Sequence, residues 1–177
     1  MINRVYLARL FATELAEDVS TGKLARILNS ARVQEEHKAI APFLNDRVIE
    51  LLRRKGFSSL TKEVLCDYEG QTKRSAPQDR SYPVLGTWTH PDAAVLRPFS
   101  CAIEIDRSGA RSHFKDVLMK AAVHVLSGAY DACLLIYIYN TRSPRREYFR
   151  DGSAQTTQLL EHLSAAGMRI AFVKAQS

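Results

Sequence analysis

Residues 90–106 read HPDAAVLRPFSCAIEID, and three carboxylates, Asp92, Glu104 and Asp106, stand in or against its two apolar runs. A carboxylate beside a core is costly unless something pairs with it. These acids therefore either lie on a solvated face or gather around a shared cation. Period-two alternation puts Glu104 and Asp106 on one face of a strand and Ile105 on the other, and two adjacent strands can set Asp92 beside Glu104.

Other residues of chemical interest are more scattered. Lys73, Arg74 and Arg80 form one basic segment, and Arg142, Arg145, Arg146 and Arg150 form a second that also holds Tyr148 and Phe149. Both have the composition of phosphate contacts, with an aromatic able to stack on a base; a solvated basic loop has the same composition. Glu50 precedes Arg53 and Arg54 by three and four residues, the spacing of a helix-surface ion pair. His113 and His124 lie too far from any second imidazole or thiol to suggest zinc. The chain has no glycine-rich phosphate loop, serine-nucleophile elbow or dinucleotide fingerprint.

The chain that must position these groups has 177 residues, 46% of them hydrophobic and 25% charged, which suits one domain with a real core. A net charge of +6 is compatible with a polyanionic partner and equally with a solubility charge. Cys66, Cys101 and Cys133 sit in apolar runs without CxxC spacing, so reduced, buried thiols in a cytoplasmic protein are expected. Arg4, Arg9, Glu14, Glu17 and Asp18 interrupt the apolar N-terminal segment, and no other apolar run reaches spanning length. No signal peptide and no membrane partner are expected.

Val5, Leu7, Leu10, Phe11 and Leu15 predict an amphipathic helix, so residues 1–30 are expected to form an N-terminal helical arm, a dimer or packing element, with residues 31–177 as the α/β core. Lys23 to Asn29 suits another short helix. From Ala31 to Lys55 the apolar spacing is helical, with Pro42 beginning a new helix and Gly56 terminating it. Leu60 to Tyr68 reads as a strand, Gly70 to Ser81 as a loop, and Val84 to Leu96 and Cys101 to Asp106 as adjacent strands. Ser112 to Leu126 is helical and closed by Gly128. Cys133 to Tyr139 is an apolar run that suits a strand covered on both faces. Gln155 to Ala165 is a helix capped by Gly167, and Arg169 to Lys174 is a last strand. The expected architecture is a mixed α/β sheet, a three-stranded meander followed by helix-strand-helix-strand, with helices on both faces. In the helix from Ser112, residues Phe114, Val117, Leu118, Ala121 and Val125 form the buried stripe, with Lys115 on its edge and Lys120, His113 and His124 on the polar side.

Pro91-Asp92 at a strand start, Glu104-Ile105-Asp106 in the next strand, and the helix and apolar strand that follow resemble the PD-(D/E)XK nuclease superfamily. The match in element order covers Ala31 to Lys174. The resemblance implies a restriction-endonuclease-like fold and a metal-dependent endonuclease that hydrolyses phosphodiester bonds of DNA (RNA not excluded), of restriction or defence type. It also implies Mg²⁺ or Mn²⁺ held by Asp92, Glu104 and Asp106, with the Ile105 carbonyl and Glu50 as accessory ligands, and a homodimer. Hard oxygen ligands suit these ions, which keep several waters and touch the substrate phosphate. One position departs from the pattern: Asp106 stands where the family usually has a catalytic lysine, an E-x-D variant. In some relatives the next helix supplies that lysine, and Lys115 or Lys120 can do so here, Lys115 being the better placed on the wheel. The alternative is a catalytically inactive nuclease-fold module that binds nucleic acid or a protein partner. A third reading is an unrelated α/β protein whose acids are surface residues.

Overall fold

The computed structural model describes residues 3–21, 36–66, 82–84, 87–107, 111–139 and 154–174. Among the described residues four helices, α1 (Arg4–Thr21), α2 (Glu36–Arg54), α3 (Arg111–Leu126) and α4 (Ala154–Ala165), flank seven strands. The strands are β1 (Glu63–Cys66), β2 (Tyr82–Val84), β3 (Thr87–Thr89), β4 (Ala93–Arg97), β5 (Cys101–Arg107), β6 (Ala132–Tyr139) and β7 (Met168–Lys174). Five of them make one mixed sheet in the order β1-β4-β5-β6-β7. β1, β4 and β5 pair antiparallel, and β6 and β7 continue parallel to β5. This is the mixed α/β architecture expected from the element order.

Alternation divides the core into two layers. Cys101, Ile103 and Ile105 of β5 and Ala132, Leu134, Ile136 and Ile138 of β6 face α1 and α2. On the other face Ala102 of β5 and Cys133, Leu135 and Tyr137 of β6 meet α3, with Phe114, Val117, Leu118, Ala121, Ala122 and Val125 packed over them. β6 is buried along Ala132–Ile138 because both its faces carry helices, which is why its sequence is apolar at consecutive rather than alternate positions. Cys101 and Cys133 are buried free thiols on opposite faces, and burial pushes both up from the ordinary thiol range.

The helix at the N-terminus packs on the sheet: Leu7, Ala8, Phe11, Ala12, Leu15 and Val19 are buried against β5, β6, β7 and α2. Each large side chain in that stripe stabilises the fold by roughly 1.5–3 kcal/mol through burial, so α1 is part of the same core. Its start is set by Asn3, whose Oδ1 accepts the Tyr6 N–H at 2.9 Å. Pro42 lies inside α2 instead of opening a helix. The run Val84 to Leu96 is not one strand: β2 and β3 form a separate antiparallel pair, and β4 starts at Ala93. Pro91 explains the break, since it has no N–H to give to a ladder.

Gly56, Gly128 and Gly167, read from the sequence as terminators, all have positive φ. Among the described residues no helix is long and apolar enough to cross a membrane. Lys23 to Asn29 and the segments 70–81 and 142–150 lie outside the described residues, and with them Lys73, Arg74, Arg80, Arg142, Arg145, Arg146 and Tyr148.

Candidate functional site

β4 and β5 bring two acids together. Ala93 pairs with Ile103, so Asp92, immediately before β4, comes level with Glu104 in β5. The ladder does not simply stop there: Asp92 Oδ2 accepts the Ile105 N–H at 2.8 Å. Ile105 points into the α1 face, and Glu104, one residue earlier, points toward α3 beside Leu135 of β6. Asp106 shares that face with Glu104 by alternation and is half-buried.

α3 supplies the partners. Its row Phe114, Val117, Ala121 advances by three and four and is continued by His124, which has no exposed surface. Lys120 lies one turn before His124, so both side chains reach the same strand residue. Lys120 Nζ donates to Glu104 Oε2 at 2.7 Å, and His124 Nε2 lies 2.5 Å from Glu104 Oε1. An ionised carboxylate can only accept, so Nε2 carries the proton in this bond. The Tyr130 ring meets the imidazole edge-on at 5.6 Å, and the Tyr130 N–H donates to the His124 carbonyl at 3.0 Å. Lys120 Nζ also stands 4.0 Å from Asp92 Oδ1.

The two carboxylates are thus held in the same manner. Each has one oxygen fixed by a donor of the fold, Glu104 Oε1 by His124 and Asp92 Oδ2 by the Ile105 amide, and turns its other oxygen toward one ammonium. Glu104 is only 2% exposed. Burial pushes its carboxyl up, but the His124 hydrogen bond and the Lys120 charge more than offset this and hold it below its ordinary value. For Lys120 burial lowers the ammonium, while Glu104, Asp92 and Asp106 outweigh that and raise it. Both groups are therefore charged at neutral pH.

It is Lys120, not Lys115, that reaches the acids; Lys115 is exposed on the same helix. Five residues separate them, about 140° around the helix, so both cannot face one point on the sheet. Glu50 is not brought to the site. It lies on α2, in the layer on the other face of the sheet, and pairs with Arg47 at 2.6 Å. Arg47 in turn holds Asp18 of α1 at 2.6 Å, and Arg54, which also feels the Glu50 charge, pairs with Glu14 of α1 at 2.5 Å, so Glu50 belongs to a network between the two helices. Sequence reasoning missed His124. Its signal was the three-residue step from Ala121, which places it on the buried row; the search for a second imidazole or thiol overlooked a carboxylate as its partner.

Among the described residues no group of three or more His, Cys, Asp or Glu side chains is arranged to hold a metal ion. The donor set nevertheless fits a hard divalent cation through two carboxylates, because the Lys120 ammonium already stands in as the cation toward which both turn an oxygen. Chemically, the arrangement is either a cation site with a resident lysine or a buried ion pair that closes the end of a sheet. No protein-family model matches the chain, and no curated protein or solved structure does so either.

Proposed function

We propose that this chain is a metal-dependent endonuclease of the PD-(D/E)XK kind that hydrolyses phosphodiester bonds of DNA. The observation that carries the reading is the convergence of Asp92 and Glu104, from neighbouring antiparallel strands, on the single Lys120 ammonium from the following helix. The sheet order, an antiparallel meander continued by parallel strands, supports the reading at the level of the mixed α/β class.

Mg²⁺ needs only one or two carboxylates when waters and a substrate phosphate complete its shell. In this reading Asp92 and Glu104 would hold the ion, with Asp106 on the same face as a further ligand. When bound, it would supply charge neutralisation at the scissile phosphate and a water poised for attack. Lys120 takes the part that lysine plays at the position occupied here by Asp106, orienting water and stabilising the negative charge that develops on phosphate oxygens. The basic segments around Lys73, Arg74 and Arg80 and around Arg142, Arg145, Arg146 and Tyr148 would grip the backbone. A homodimer and a cytoplasmic, defence-type role belong to the same proposal.

A second reading is a nuclease-fold module that binds nucleic acid or protein without cutting. Its support is the occupation of both Glu104 oxygens by His124 and Lys120, together with Asp106 in the place of lysine. Incubation with supercoiled plasmid separates the two. Nicking in Mg²⁺ or Mn²⁺ that disappears in EDTA and in Asp92→Asn supports the enzyme; binding of DNA with no nicking in either ion supports the module.

A further inference from the structure

The buried imidazole of His124 has no part in the chemistry assigned above, yet its placement is specific. It has no exposed surface, its Nε2 lies 2.5 Å from Glu104 Oε1, and Tyr130 braces both its ring and its backbone carbonyl. A residue needed only to fill space between α3 and β5 could be apolar, as Ala121 and Ala122 are on the same helix face. Instead the helix sets a ring N–H against one oxygen of a carboxylate whose other oxygen meets the half-exposed Lys120.

We infer that His124 is a positioning residue: by fixing Oε1 it selects Oε2 as the Glu104 oxygen offered to a divalent cation and prevents the carboxylate from rotating away. The inference rests on the metal-site reading of Asp92 and Glu104. Two consequences follow from the geometry. Loss of the donor frees the carboxylate torsion and weakens cation uptake, and another donor at similar reach restores it. Outer partners that orient a metal ligand act in this way, and their removal typically lowers affinity by about 10–100-fold.

The test uses the full chain with Mn²⁺ alone as probe, its affinity read by calorimetry or by the EPR signal of free Mn²⁺. His124→Leu is expected to bind Mn²⁺ at least about tenfold more weakly than the parent, and His124→Gln, which keeps an N–H, to stay within about threefold. Near-UV circular dichroism checks that both are folded. Equal affinity in the parent and His124→Leu overturns the inference, as does a folded His124→Gln that has lost as much as His124→Leu. If His124→Leu fails to fold, His124→Gln alone decides by the same criterion. Nitrogen NMR of the parent imidazole adds a readout that needs no variant: Nε2 stays protonated and its resonance shifts on Mg²⁺ addition, whereas an unprotonated or unresponsive Nε2 overturns the assignment. The outcomes separate this inference from the nuclease reading. DNA nicking with Mn²⁺ affinity unaltered in His124→Leu sinks only the inference; His124-dependent Mn²⁺ uptake without nicking sinks only the nuclease. No Mn²⁺ uptake by the parent sinks both.

Discussion

Lys120 Nζ sits 2.7 Å from Glu104 Oε2, joining a half-exposed ammonium to a carboxylate that is almost wholly buried. The pair is lopsided. Water already reaches the lysine, whereas Glu104 is shut away from it while the bond is made. The lysine is therefore the member that can leave, provided another cation replaces it.

Replacing Lys120 by methionine tests that exchange. The variant keeps an apolar stem but leaves the buried carboxylate with only His124 in EDTA, and its stability should fall by about 1–2 kcal/mol, less than for a fully buried pair because Lys120 is half-exposed. Mn²⁺ should then stabilise the variant more than the parent, since it no longer competes with an ammonium. Binding at a hundred times the dissociation constant contributes about 2.7 kcal/mol. Thermal melts in EDTA and across a Mn²⁺ series check this. A variant whose melting temperature does not respond to Mn²⁺ more than that of the parent would refute the competition.

The acid limb of stability should report Glu104. Its carboxyl is held below the ordinary 4.5; burial opposes this, and the His124 bond and Lys120 charge prevail. A carboxyl depressed in the folded state binds fewer protons there than in the unfolded chain. Its contribution is present above the ordinary value and is lost as pH falls through the depressed one. Lys120, raised above 10.5, has the opposite sign: its contribution is complete below that value and is lost as pH climbs past it. Urea unfolding in EDTA should therefore show the parent losing stability below about pH 4.5 more steeply than Glu104→Gln. Parallel acid limbs would mean that Glu104 is not held as described.

Much of this arrangement is legible in the sequence because it depends on local periods. The apolar run at Cys133–Tyr139 announces a doubly covered strand, the alternation at Glu104-Ile105-Asp106 announces a divided face, and Gly128 and Gly167 announce helix ends. The lysine is a different matter. Lys115 and Lys120 flank the buried stripe of α3 on opposite edges, and only the way α3 lies across β5 decides which edge meets the acids. His124 is hidden for a related reason: its partner, Glu104, is 20 residues away in another element, and a stripe drawn from apolar residues alone leaves it out. The break before β4 was readable in Pro91, but the carboxylate of Asp92 taking over the ladder at Ile105 is a tertiary event.

Two of the terminating glycines differ in what surrounds them, and alanine should expose the difference. A Cβ at Gly128, φ +74°, meets nothing within 4 Å, so Gly128→Ala should cost only the strain of a left-handed alanine, about 1 kcal/mol. At Gly167, φ +105°, a Cβ would lie 2.7 Å from the Asp131 carbonyl oxygen, a backbone atom that cannot swing aside. The Gly167 carbonyl also accepts the Cys133 N–H at 3.2 Å, tying the turn to β6. Gly167→Ala should cost more than about 2 kcal/mol. Chemical denaturation of the two variants measures both, and equal losses would contradict the close approach.

Asp92 has two jobs, and two substitutions can separate them. Oδ2 serves the fold by accepting the Ile105 N–H at 2.8 Å, while Oδ1 faces Lys120 and, in the proposed function, the metal. Asparagine retains a carbonyl oxygen for the Ile105 amide but loses the negative charge. Asp92→Asn should therefore unfold within about 0.5 kcal/mol of the parent. Alanine removes the acceptor as well and leaves a backbone donor at the end of the ladder without its side-chain partner, a loss of about 1 kcal/mol or somewhat more. Both should abolish metal-dependent nicking, because neither a neutral amide nor a methyl group replaces the Asp92 carboxylate that holds Mg²⁺ beside Glu104. Denaturant midpoints and a nicking assay on the same preparations read the two roles independently. Retained nicking in a folded Asp92→Asn would remove Asp92 from the metal site while leaving its place in the sheet intact.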